Sequence, residues 1–286
     1  MKGILMAGGK GSRLWPLTAA VNKHLMPIHN KPMIYYSLTT LMFTGVTEIA
    51  VISSKESLLT IEKLLGSGNQ WGLKFHYIAQ PKPQGIAQSF NLVPKIFKNS
   101  SVSLSLGDNL LYGTGLGLSL SNIFDEKGAL GFAYPVSDTE NYGIVELNQI
   151  GKPIKIVEKP KLTKSNLAIP GLYFFDKKVW SKAKRLKLSS RGEYEITDLL
   201  KSYLKNKELK IIRLERGTVW LDTGTTNNLL GASEYVRVLE DRQGLKIGCP
   251  EEVALRLNLI TRSQFVKTVK SIPNSDYKKY LLNIES

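Results

Sequence analysis

The sequence holds a single cysteine, Cys249, among 286 residues. One thiol cannot close an internal disulfide, so a stapled secreted scaffold is excluded and a reducing cytoplasm is favoured. Cys249 itself reads as a small packed side chain. Histidine is almost as scarce: His24, His29 and His76 show no zinc-type spacing and have no cysteine cluster to join, so no structural zinc is expected. No run approaches the ~20 consecutive apolar residues of a membrane span, and no charged leader precedes an apolar stretch. Negative charge is also in short supply, with 24 acidic residues against 39 basic ones and a formal net charge of +15. That excess permits nucleic acid, a membrane surface or phosphorylated small molecules as partners. The basic residues are spread along the chain, however, and no helix-turn-helix, zinc or RNA-binding motif accompanies them, so nucleic acid is not expected.

What is present is an ordinary globular composition, 42% hydrophobic and 22% charged, in a chain long enough to bury a sizeable core. The N-terminal third alternates strand-like runs (MKGILMA, EIAVIS, VSLSL) with helix-like ones, the pattern of an α/β sheet covered by helices. PMIYYSLTTLMFTG predicts a helix with Pro32 in its first turn and Gly45 past its end. GIAQSFNLVPKIF predicts a second, interrupted in some way by Pro94. In the middle, GFAYPV, YGIVEL, IKIVE and AIPGLYFF read as closely spaced strands, and VWLDTG as another. From Thr225 onward the apolar spacing turns helical, through NNLLGASEYVRVLEDR, EEVALRL, SQFVKTVK and DYKKYLLNI. The expected organisation is a core over 1–225 and a helical C-terminal region over 226–286, with no internal repeat.

The loop GGKGSRLWPLT, Gly8 to Thr18, follows the first strand. Neither common phosphate loop fits it: Lys10 is followed by glycine where a Walker loop needs Ser or Thr, and Leu14 stands where a dinucleotide loop needs its third glycine. What remains are glycines that let backbone N–H groups approach an anion, followed by the fixed charge of Arg13.

Two carboxylates stand in matching contexts. Asp108 in LSLGDN and Asp222 in VWLDTG each sit just past an apolar strand, in a glycine-containing turn. Strand ends converge on the ligand crevice of an open α/β sheet. Two carboxylates meeting beside a phosphate loop would repel each other unless a cation lay between them, and Mg²⁺ suits a few carboxylates plus phosphate oxygens and water. Arg13, Lys23, Lys159 and Arg191 stand in turns rather than on lysine-rich helix faces and could supply the positive half of such a site. Glu158 could accept from sugar hydroxyls, while Tyr142 and Gly143 could offer a ring and a close backbone amide.

Together GGKGSRLWPLT, NKHLMPIHNKPMIYYSL, AQPKPQGIAQSF, LGDN, ENYGIVE, VEKP, GLYFFD, SRGEYEITD, VWLDTGT and RQGLKIGCPEE resemble the bacterial glucose-1-phosphate thymidylyltransferases, within the sugar nucleotidyltransferases. The resemblance runs from Lys2 nearly to Ser286. It implies a Rossmann-like nucleotidyltransferase core with a mixed, mostly parallel sheet and a helical C-terminal appendage. It further implies Mg²⁺-dependent reaction of dTTP with α-D-glucose 1-phosphate to give dTDP-glucose and pyrophosphate, opening dTDP-L-rhamnose or related deoxysugar synthesis. Carried over by motif, Gly8, Gly11, Ser12 and Arg13 would hold the triphosphate, and Lys23 would neutralise it. Gln80 and Gly85 would read the thymine. Tyr142, Gly143, Glu158, Lys159 and Ile169 would line the sugar site, Arg191 would grip the sugar phosphate, and Asp108 and Asp222 would bind Mg²⁺. A cytoplasmic homotetramer inhibited by dTDP-L-rhamnose at a second site between subunits, built partly by the C-terminal helices, is also implied. The sequence departs from the family pattern at His24, where Gln is usual, at Pro170, where Thr is more common, and at Leu167, where Tyr is frequent.

Overall fold

The computed structural model describes residues 1–113 and 116–284, so the last two positions of the 226–286 region lie outside the described residues. The first strand, β1 (Lys2–Met6), carries apolar residues at successive positions because both its faces are covered. A short hairpin, β2 (Pro27–Ile28) and β3 (Lys31–Pro32), leads into α1 (Met33–Phe43). Pro32 stands immediately before that helix in an extended conformation, and Gly45 turns the chain away at φ +82°. There follow β4 (Glu48–Ser53), α2 (Lys55–Leu65), β5 (Lys74–Ala79), α3 (Ser89–Leu92) and β6 (Val102–Leu106). The segment expected as one helix over 85–97 is broken into the 3₁₀ turn Ile86–Gln88, the single turn α3 and a further 3₁₀ turn, Lys95–Phe97. Pro94 ends it by disfavouring the α conformation at Val93, which is extended.

Next come β7 (Asn109–Tyr112), β8 (Ala129–Pro135), β9 (Gly143–Leu147), β10 (Pro153–Glu158), β11 (Leu167–Ala168) and β12 (Leu172–Phe175). The run AIPGLYFF is thus two strands parted at Pro170 and Gly171. The chain closes with α4 (Val179–Ala183), α5 (Ile196–Lys205), β13 (Leu209–Arg213), β14 (Val219–Asp222), α6 (Thr226–Gln243), α7 (Pro250–Arg256), α8 (Arg262–Ser271) and α9 (Asp276–Leu282).

The main sheet runs β10-β9-β11-β8-β12-β6-β1-β4-β5, with β13 also on β8. It is mixed: β5, β4, β1 and β6 are mutually parallel, whereas β12 joins β6 and β8 antiparallel. Alternation along the parallel strands divides the core between two faces. Ile4, Ala50, Ile52, Val102 and Leu104 point to the side covered by Phe90, Trp180, Leu199 and Tyr203. Leu5, Ile49 and Val51 point to the other, where α1 and α2 lie. Val253, Phe265, Val269 and Leu281 from α7, α8 and α9 enter this second cluster, so the C-terminal helices pack into the same core as α1. Separately, β14 pairs antiparallel with β7, Asp222 opposite Asn109, which carries the end of one aspartate-bearing segment to the start of the other.

Candidate active site

Asp108 lies in the two-residue turn between β6 and β7, and Asp222 is the last residue of β14. Thr223 fastens the two turns: both its backbone N–H, at 3.1 Å, and its Oγ1, at 2.8 Å, donate to the Asp108 carbonyl. Asn109 braces the same corner from behind. Its Oδ1 accepts from Gly171 N at 2.9 Å and Trp220 Nε1 at 2.6 Å, while its Nδ2 donates to Asp108 Oδ1 at 2.9 Å.

Charge is arranged in opposed pairs. Lys23, set by a short turn that Asn22 caps, donates to Asp108 Oδ2, and Arg13 Nη2 stands 3.7 Å from Asp222 Oδ2. Burial opposes ionisation of Asp108, but Lys23, His24 and Asn109 together hold its carboxyl well below the usual carboxylate range. Asp222 behaves in the opposite way, pushed up to about 6 by burial and by the negative charge of Asp108, against the pull of Arg13. Asp222 is therefore the less completely compensated of the two carboxylates.

Around this corner open two cavities. One, of 210 Å³, is lined by Arg13, Asp108, Tyr142, Gly143, Glu158, Lys159, Ile169, Arg191 and Asp222 among others. The second, of 230 Å³, is lined by Gly8, Lys23, Gln80, Gly85 and again Asp108. Ile86, Leu106 and Glu193 also border both, so they form neighbouring compartments of one cleft. Every sequence-predicted site residue except Gly11 and Ser12 lines one or the other. Gly11 is left-handed at φ +60°, a conformation glycine adopts without strain, and its carbonyl accepts from Thr18 Oγ1 at 2.9 Å. Ser12 is exposed on the loop, which buried Leu14 anchors.

In the larger group of site residues, Tyr142 packs edge-on against Trp220 with ring centroids 5.0 Å apart. Lys159 N donates to the Tyr142 carbonyl and Ile169 N to that of Gly143, at 3.0 and 2.9 Å, which ties the three strand ends together. Arg191 reaches Glu158 Oε1 and Glu193 Oε2, both at 3.1 Å, and Glu195 Oε1 at 3.5 Å. Lys159 has no ion pair among the described residues. The segment before α3 joins the compartments, since Tyr194 N donates to Gln84 O at 2.7 Å and Ala87 N to Tyr194 O at 3.1 Å.

Sequence reasoning assigned no role to Asn109, Trp220, Thr223, Glu193 or Glu195. All five lie inside motifs it quoted, so the signal was present as position but not as geometry. At the departures from the family pattern, His24 is fully buried, its ring Nδ1 2.8 Å from Asn22 Oδ1, and burial with the charge of Lys23 lowers it to about 3. It packs where Gly107 leaves room: a β-carbon there would stand 2.7 Å from the ring. Pro170 is buried between β11 and β12, and half-buried Leu167 begins β11.

A sheet whose strand ends gather basic loops and paired aspartates around a divided cleft is the architecture of a phosphate-handling transferase, and the nucleotidyl transferase family model matches residues 2–238. A glucose-1-phosphate thymidylyltransferase from Mycolicibacterium smegmatis is 45% identical over 99% of this chain and 99% of its own length. One from Neisseria meningitidis is 40% identical with the same coverage of both chains. The chain belongs to the glucose-1-phosphate thymidylyltransferase family. Among solved structures, a Bacillus anthracis protein bound to sucrose superposes with a TM-score of 0.75 at 37% identity, covering 83% of this chain and 95% of its own. A UDP-glucose pyrophosphorylase at 20% identity shares the fold, with a TM-score of 0.73, covering 83% of this chain and 98% of its own.

Proposed function

We propose that this protein transfers the thymidylyl group of dTTP to α-D-glucose 1-phosphate, forming dTDP-glucose and pyrophosphate. The observation that carries the reading is the shared wall of the two compartments, with Gln80 on one side, Glu158 on the other and Asp108 common to both. A thymine beside Gln80 and Gly85 and a glucose beside Tyr142, Gly143, Glu158 and Ile169 would bring their phosphates to the charged corner between them.

There a phosphate oxygen of glucose 1-phosphate forms a bond to the α-phosphorus of dTTP. The bond from that phosphorus to the bridging oxygen of the β-phosphate breaks, and its electron pair leaves with pyrophosphate. The attacking oxygen is already anionic at neutral pH, so no general base is required and catalysis rests on alignment and charge neutralisation. Gly8, Gly11 and Ser12 offer the triphosphate a close backbone. Arg13 and Lys23 neutralise its charge, Lys159 meets the sugar phosphate, and Arg191 exchanges part of its carboxylate contact for that same anion.

Among the described residues there is no cluster of three or more His, Cys, Asp or Glu, and the corner offers two carboxylates. That donor set fits Mg²⁺, which retains water and takes phosphate oxygens, and Asp108 with Asp222 would hold it. Bound there, the ion supplies neutralisation of the charge on the α-phosphoryl group and the departing pyrophosphate.

No helix among the described residues is long and apolar enough to cross a membrane. We place the reaction in the cytoplasm, in a homotetramer whose 226–286 region forms subunit contacts. A feedback inhibitor, dTDP-L-rhamnose, would use a separate 180 Å³ cavity lined by Tyr36, Leu111, Tyr112 and residues from Leu245 to Arg256. The deciding experiment incubates the protein with Mg²⁺, glucose 1-phosphate and, in turn, dTTP, UTP, CTP, ATP and GTP, and identifies both products. Sugar nucleotide and pyrophosphate chiefly from dTTP, abolished by EDTA, are expected. No product from dTTP would overturn the assignment.

A further inference from the structure

Gln88 touches the nucleotide compartment only through another residue, yet it is 8% exposed and both ends of its amide are hydrogen-bonded. Its Oε1 accepts from the backbone N–H of Gln84 at 3.1 Å and from Gln80 Nε2 at 2.8 Å, and its own Nε2 donates to Gln84 Oε1 at 3.1 Å. An amide side chain by itself can be turned end for end without a change of shape. Here a backbone N–H can only donate, so the Gln88 atom facing Gln84 N must be its oxygen. The same oxygen faces Gln80, which must therefore present its nitrogen. Gln80 is left with Oε1 directed over Gly8, in the wall of the cavity, where a β-carbon at position 8 would lie 2.4 Å from that oxygen. Among the described residues no donor satisfies Gln80 Oε1.

We infer that Gln88 is a positioning residue for base selection: it locks the Gln80 amide with its oxygen toward the nucleotide, so the cleft accepts pyrimidines that carry an N3–H and rejects those whose N3 is a lone pair. The inference rests on the proposed reading of Gln80 as the base-contacting residue. Thymine and uracil donate through N3–H. Cytosine would set its N3 lone pair against Gln80 Oε1, so that two acceptors are desolvated with no hydrogen bond in return. If Gln80 could turn, its Nε2 would satisfy cytosine equally well; the fixed N–H of Gln84, relayed through Gln88, removes that option.

The test measures kcat and KM with dTTP, dCTP and N3-methyl-dTTP for the wild type, Gln88→Met and Gln88→Glu. The wild type should prefer dTTP over both analogues. Gln88→Met removes the relaying oxygen, and the dTTP:dCTP ratio of kcat/KM should fall by about tenfold or more, chiefly through KM for dTTP. Gln88→Glu keeps that oxygen in either charge state: ionised it accepts from both partners, and protonated its hydroxyl replaces Nε2 as donor to Gln84. Its ratio should stay within about threefold of wild type. A merely structural role for Gln88 would lower activity with all three nucleotides alike and leave the ratio unmoved. An unchanged ratio in folded Gln88→Met overturns the inference, as does a lost ratio in folded Gln88→Glu, which decides the matter even where the methionine variant does not fold. A wild type that uses dTTP and dCTP equally also overturns it. No turnover of dTTP by the wild type sinks the thymidylyltransferase reading itself, whereas wild-type preference with an unmoved variant ratio sinks only the role of Gln88.

Discussion

Asn109 is the residue on which the aspartate corner hangs, although it carries no charge and meets no substrate in the proposed reaction. Its Oδ1 is the sole acceptor shown for both Gly171 N–H and Trp220 Nε1–H, in a side chain only 5% exposed. Truncation to alanine would orphan both donors, at a cost of about 1–3 kcal/mol for each. We expect Asn109→Ala to unfold at lower urea with an unchanged m-value, and its residual activity to fall further than its stability explains, since Asp108 loses the donor to its Oδ1. Equal stability to wild type would show that water replaces the side chain. This role was not legible in the sequence. LGDN marks Asp108 because a carboxylate after an apolar strand is chemically conspicuous, whereas Asn109 acquires its function from residues 62 and 111 positions away. Arg191 shows the same limit. Its position in a turn was legible, and Glu193 and Glu195 are local to that turn, but its third carboxylate neighbour, Glu158, is brought in from a separate segment only by folding.

Between elements, the tie of the β2–β3 hairpin to α6 is a buried charge cluster. Lys31 Nζ reaches Glu240 Oε1 at 2.6 Å, Lys246 Nζ reaches Oε2 at 2.9 Å, and Asn30 and Ile247 N add further donors. Burial pulls Lys31 below the usual ammonium range despite Glu240. Burial also opposes ionisation of Glu240, but the two lysines prevail and its carboxyl lies below the usual range. A carboxylate depressed in the folded state contributes stability that is complete above its unfolded pKa and is lost as pH falls through the folded value. Lys31 remains charged throughout that acid window, so its burial cost stays while the compensation disappears. Urea unfolding followed from pH 7 downward should show stability falling below the ordinary glutamate range, with a shallower decline in Glu240→Gln, which starts less stable. Parallel pH profiles would remove the cluster as a cause. None of this was visible in SEYVRVLEDR, where Glu240 reads as one more charge on a helix. The elements themselves were more legible: α1, β1, β4 and β6 follow from apolar pattern and terminal Pro and Gly, because those signals are local. The break of 85–97 and the two-strand division at Pro170 depend on φ restrictions that the apolar pattern alone does not carry.

For the whole molecule, charge and apolar surface pull association in opposite directions. Each chain carries a formal +15, so bringing several together costs self-repulsion that salt relieves. Against that, Leu230 and Val238 on α6 are 61% and 53% exposed, and Leu245 just beyond it is 48% exposed, three apolar side chains open to solvent in the region proposed for subunit contacts. A second copy of the chain is a fitting cover for these side chains because a symmetric contact would set them against their own counterparts. Sedimentation equilibrium should therefore give a mass about four times that of the 31.9 kDa chain near physiological salt, with dissociation favoured as salt is lowered. Leu230→Lys should shift the protein toward smaller species without unfolding it, since the side chain it replaces is largely exposed. Monomer at every salt and protein concentration would eliminate the tetramer. A tetramer indifferent to Leu230→Lys would move the contact off α6, and one that tightens as salt falls would show that complementary charge, not exposed apolar side chains, drives assembly.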